Sequence, residues 1–112
     1  MDIEKNLKNN IMFPDYNNCL ANIPNSILKW FGLEPVGASL PMLDDLLKKD
    51  YKNVVLLLLD GMGTAIMNEH LATNGPFRQH QIGTISSVFL STTTAGTTSA
   101  ITGLQPCEHC WL

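Results

Sequence analysis

"NVVLLLLDGMG", Asn53 to Gly63, is the stretch on which the reading of this chain turns. Val54 to Leu59 is an unbroken apolar run, with Lys52-Asn53 before it and Asp60-Gly61 after it. A run this short, closed by Gly61 and Gly63, predicts a central parallel strand buried on both faces. A buried helix is the competing reading, but core helices usually need a longer pattern. The run ends on a carboxylate, and Asp60 there is costly unless it is paired or holds a cation. It can also cap the turn by accepting N–H bonds from Gly61 to Gly63. Both roles stay open at this stage.

Downstream, "TAIMNEHLA" (64–72) reads as a helix with Thr64 as its cap, and "TNGPFRQH" (73–80) as a loop. β-branched residues near Ile82 to Phe89 predict a second strand. "AGTTSAITG" (95–103) follows as a helix that Gly103 terminates. Strand, helix, strand, helix is a βαβ unit with a parallel sheet. One crossover of about 30 residues joins Asp60 to Ser91–Thr94, the usual size for such a unit. Parallel strands bring their carboxyl ends to one edge, where open sheets bind ligands, so Asp60 and the threonines are expected to share a site. The Ser/Thr-rich stretch "STTTAGTTS" (91–99) has two compatible roles. Thr92, Thr93 or Thr94 caps the following helix. Alternatively, one hydroxyl lies at a helix N-terminus that favours phosphate, activated by a cation on Asp60.

Upstream, residues 1–25 are rich in Asn and carry Pro14 and Pro24, which predicts a loosely organised lead-in with a weak helix at its start. In "NSILKWFG" (25–32), Asn25 or Ser26 is placed as the cap of a short helix that Gly32 ends. "EPVGASLP" is a loop. "PMLDDLLKKD" (41–50) reads as a helix with Pro41 in its first turn.

The bulk numbers set the class. With 112 residues, the chain suits one small domain or a piece of a larger one. A hydrophobic fraction of 45% supports a core, while 15% charged residues is low for a complete domain, as expected of a fragment with covered apolar surface. The formal net charge is −3, and no basic stretch suggests a nucleic-acid footprint. No apolar run approaches the roughly 20 residues of a membrane span, and the polar start "MDIEKNLKNN" is not a signal peptide, so a cytoplasmic location is expected. Three cysteines do not make a secreted disulfide framework. "CEHC" (107–110) is a ligand-type cluster, but a structural zinc takes four ligands and no second pair exists. As a redox CxxC it lies outside its usual place at a helix start near a βαβ unit. "DGMG" lacks the phosphate-loop pattern, and His70 and His80 read as surface residues.

Taken together, "VVLLLLDGMG" and "STTTAGTTSAITGLQPCEHCWL" resemble the alkaline phosphatase superfamily, in particular its type I phosphodiesterase/nucleotide pyrophosphatase family. "TGLQPCEH", Thr102 to His109, is similar to that family's Thr-Gly-Leu-x-Pro-x-x-His ending, and the nucleophile position falls on Thr93. The resemblance implies a three-layer α/β/α sandwich with a mostly parallel central sheet, of which only the N-terminal part is present. It divides the chain into a lead-in (1–52) and the start of a catalytic domain (53–112). It further implies two divalent metal ions, usually zinc, with Asp60 and Thr93 as metal-site residues. Thr93 would form a covalent intermediate with a small phosphate-ester substrate. Gly96 stands where the nucleotide pyrophosphatases carry Asn, which opens the substrate question, and Cys110 stands where Gly is expected. The family takes most of its metal ligands from later chain, so this stretch alone is expected to be inactive. A non-catalytic α/β module that binds phosphate or a partner through the same loop is the alternative.

Overall fold

The computed structural model describes residues 12–112. The weak helix expected at the start of the lead-in lies outside those residues. Among the described residues there are six helical segments: α1 (Asn22–Trp30), α2 (Pro41–Leu46), α3 (Thr64–His70), α4 (Pro76–Gln79), α5 (Thr93–Thr102) and α6 (Pro106–His109). α1 packs on α2 and α5, and α5 packs on α6.

No strand forms among the described residues, which overturns the expected α/β/α sandwich and its βαβ unit. Val54–Leu59 has the composition of a central strand but no ladder partner among those residues. Its side chains lie open, Val55 at 87% and Leu57 at 71% exposure. Strand propensity expresses packing against neighbours more than any backbone preference, so an unpartnered apolar run stays irregular. The second expected strand is reduced to one isolated parallel bridge, Ser86 with Cys19. Leu20 N–H donates to Ser86 O at 3.2 Å, and Ser86 N–H donates to Asn18 O at 2.9 Å. The 82–89 segment therefore pairs with the lead-in rather than with Val54–Leu59.

Among the described residues one small apolar cluster comprises Cys19, Ala21, Val88 and Ala95, with Tyr16 against it, and Leu40, Leu47 and Ala100 are buried outside it. Polar side chains of α1 do much of the remaining assembly. Asn22, Asn25 and Ser26 lie on one buried face at helical spacing. Neither Asn25 nor Ser26 caps α1, which starts earlier, after Ala21. Asn22 Oδ1 accepts from Cys19 N–H at 2.6 Å, and its Nδ2 donates to Ala38 O at 2.9 Å. Asn25 Nδ2 donates to Ala21 O and Gly103 O at 2.9 and 3.1 Å. Its Oδ1 accepts from Val36 and Gly37 N–H at 2.9 and 3.1 Å. Leu40 N–H donates to Ser26 Oγ at 2.8 Å. The loop from Val36 to Leu40 and the end of α5 are thus stitched to α1 through side-chain amides.

α1 ends as expected at Gly32, whose φ is +72°. α2 begins at Pro41, as its sequence predicts, and an ion pair ties it to α1: Lys29 Nζ to Asp44 Oδ2, 2.7 Å. Partial burial works against ionising Asp44, but the hydrogen bonds from Lys29 and Ser39 and the Lys29 charge outweigh it and hold the carboxyl below its ordinary value of 3.8. A lowered folded-state pKa contributes stability above the unfolded value, and that stability is lost as pH falls through the folded one. Acid titration of the wild type is therefore expected to show stability falling below about pH 4. In Asp44→Asn this component is absent, so its urea midpoint declines less over the same window.

Candidate functional site

α5 is built by its own first turn. Thr92 is the N-cap, with extended backbone, and its Oγ1 accepts from Ala95 N–H at 3.2 Å. Of the three threonines able to cap, Thr92 takes the role and Thr93 becomes the first helical residue. At the other end Gly103 adopts φ +75°, donating its N–H to Ser99 O at 3.0 Å. A Cβ at Gly103 would meet Asn25 side-chain atoms at 3.0 Å, so only glycine suits both the turn and the close approach.

With Thr92 occupied, the Thr93 hydroxyl is left for other contacts. Its Oγ1 donates to Asp60 Oδ2 over 3.3 Å, a long hydrogen bond. Asp60 makes no turn-capping bond with Gly61 to Gly63 among the described residues. Both side chains are exposed and line a cavity of about 590 Å³. Leu58, Met67 and Ile85 form apolar parts of its wall, and Gly96 also lines it. The sequence places these two groups on a common sheet edge; here they meet without any sheet. The Asp60-to-α3 turn and the cap of α5 bring them together.

A divalent metal can be tested against this pair. Asp60 offers an anionic oxygen and Thr93 a hydroxyl, two hard donors on one exposed cavity wall. Zinc ordinarily takes four ligands, and no cluster of three or more His, Cys, Asp or Glu occurs among the described residues. The pair suits part of a coordination set, and the rest has to come from elsewhere.

"CEHC" does not converge as a metal site. Ser99 Oγ and His109 Nε2 are 3.0 Å apart, and Trp111 N–H donates to His109 Nδ1 at 3.1 Å. Nδ1 accepts, so in the neutral ring the proton sits on Nε2 and is donated to Ser99. Both ring nitrogens are committed, and His109 serves to pin α6 on α5. Glu108 Oε2 fixes the start of α6 by accepting from Gln105 N–H at 2.7 Å. Sequence reasoning missed this Ser99–His109 contact. The ten-residue separation across a Gly-Leu-x-Pro turn was its one available signal. His70 and His80 are exposed, as expected.

No helix among the described residues is long and apolar enough to cross a membrane. No family model, curated protein or solved structure matches the chain.

Proposed function

We propose that this chain is the N-terminal portion of a metal-dependent phosphoric ester hydrolase of the phosphodiesterase/nucleotide pyrophosphatase kind, acting in the cytoplasm on small phosphate esters. Thr93 is its nucleophile and Asp60 one ligand to a divalent cation. The carrying observation is the Thr93 Oγ1–Asp60 Oδ2 pair at 3.3 Å on the wall of an open cavity. Thr92 supports the assignment by taking the cap, which leaves the neighbouring hydroxyl to react.

In this reading Thr93 Oγ attacks phosphorus, its proton leaves toward Asp60 or solvent, and the ester's leaving alcohol departs. Water then cleaves the phospho-threonine ester and restores the hydroxyl. Asp60 and Thr93 would form part of the coordination of a divalent cation, which would supply Lewis acidity for the hydroxyl and the phosphoryl oxygens. Two donors make only part of a zinc coordination set, so further ligands would have to complete it.

The shortage of ligands favours a second reading, a non-catalytic module that holds phosphate or a partner at the start of α5. The Asp60 carboxylate opposes it, because a bare anion beside Thr93 would face a like charge. Zinc calorimetry on the full-length protein separates the two. The hydrolase reading expects Asp60→Asn to weaken zinc binding by more than about tenfold. It also expects a phosphoryl adduct on Thr93 when turnover is quenched in acid. Zinc affinity unchanged by the substitution, with no adduct, would leave only the binding module.

A further inference from the structure

We propose that Cys107 and Cys110 form a reversible dithiol that closes into an internal disulfide by exchange with a small-molecule disulfide, and that closure disturbs the turn holding His109 on Ser99. The inference is independent of the hydrolase reading. All three cysteines are free, but only these two are exposed. Cys19 is fully buried in the core, and burial pushes its thiol up, which keeps it out of exchange.

The two exposed residues are three apart, Cys107 inside α6 and Cys110 at its C-cap. The left-handed turn at Cys110 brings it back onto the residue three before it. A disulfide wants about 3.5–4.5 Å between Cβ atoms. Cys110 already folds back over the turn, its Sγ 3.8 Å from the carbonyl oxygen of Cys107. Cys107 Sγ lies 4.0 Å from Gln105 Oε1, so it must change rotamer to meet its partner. Closure therefore moves the turn, and a bond formed between two exposed cysteines reopens readily.

The movement has a defined outlet. Cys110 sits in the left-handed region at φ 57°, unusual for a residue with a Cβ. The next residue, Trp111, supplies the N–H that occupies His109 Nδ1, and His109 Nε2 reaches Ser99, buried in the middle of α5. Rotating Cys110 toward Cys107 shifts the Trp111 N–H first, then the ring it holds.

The chemistry balances with a dialkyl disulfide such as oxidised glutathione. A thiolate of one cysteine attacks one glutathione sulfur and releases one glutathione thiolate. The second cysteine, as thiolate, attacks the protein sulfur of the mixed disulfide and releases the other. Two protein thiols lose two electrons, the small disulfide gains them, and the two protein protons end on the glutathione thiolates.

The test equilibrates the full chain in glutathione redox buffers, alkylates residual thiols in acid, and reads masses beside long-range ¹H–¹⁵N spectra of the histidine rings. The expected product is lighter by two hydrogens, retains one alkylatable thiol of three, reopens with excess reduced glutathione, and shows shifted His109 ring nitrogens. Cys107→Ser and Cys110→Ser each stop at a single glutathione adduct. A wild type that accumulates glutathione on both cysteines, or that links Cys19, overturns the dithiol. Closure with unmoved His109 resonances overturns its coupling to Ser99.

Discussion

Replacing Asn25 with leucine is expected to lower the unfolding free energy by about 2–4 kcal/mol, seen as a fall in urea midpoint at unchanged m. The side chain is 1% exposed and makes four hydrogen bonds, to Ala21 O, Gly103 O, Val36 N and Gly37 N. Leucine fills a similar volume, so the loss reports the polar groups left behind rather than a cavity. Those groups are unequal. Gly103 is buried, and its carbonyl loses a partner that water cannot replace, whereas Val36 and Gly37 are exposed residues whose N–H groups can turn to solvent. Asn25→Asp separates the contributions. It keeps both acceptor bonds to the loop but aims its second oxygen at two carbonyls. Its cost at neutral pH is expected to match that of leucine and to shrink in acid, where a protonated oxygen donates in place of the amide. Equal stability of wild type and Asn25→Leu would mean that α1 is not held by this side chain.

Adjacent threonines are expected to separate folding from chemistry. Thr92→Ala should cost about 1 kcal/mol of stability through the lost cap of α5, with turnover per folded molecule largely retained. Thr93→Ala should leave stability within about 0.5 kcal/mol, because its hydroxyl makes only a long, exposed contact with Asp60. In the full-length protein, hydrolysis of a nitrophenyl phosphodiester with zinc present should fall by at least about 10³-fold in Thr93→Ala. Thr93→Ser should recover part of it, since an alcohol remains one atom from the helix backbone. A Thr93→Ala enzyme with wild-type turnover would remove the nucleophile assignment, and similar losses in both variants would point to damage to α5 as a whole.

Four of the six helices were legible, because each is marked locally. Pro41 opens α2, Gly32 ends α1, and Gly103 ends α5, whereas Gly63 takes the N-cap of α3 and Thr64, expected as the cap, is its first helical residue with no capping bond. The loop assigned to 73–80 hides a short helix, α4, with Pro76 at its first position, and α6 opens the same way at Pro106, where no helix was read. The expected sheet failed for a reason the apolar run itself cannot supply. Val54–Leu59 records that its residues suit a buried ladder, but a ladder needs a partner, and the 82–89 segment bonds to residues 18–20 instead. Asn25 and Ser26 were read as caps, since that is what such residues do near a helix start. Their burial on the inner face of α1 depends on a loop and a helix end up to 78 residues away.

By itself the sequence determined that a helix opens at Pro41 and that Gly32 and Gly103 close two others, which hydroxyls flank the start of α5, and that an acidic group closes the apolar run. Those are properties of neighbours in the chain, set by φ preferences, missing N–H groups and side-chain reach. The tertiary structure alone decided which threonine caps and which faces Asp60, which amides hold the loop against α1, and that His109 is spent on Ser99. Each of these is a competition for hydrogen-bond partners between segments remote in the chain, and its outcome is settled by which groups burial brings within about 3 Å of one another.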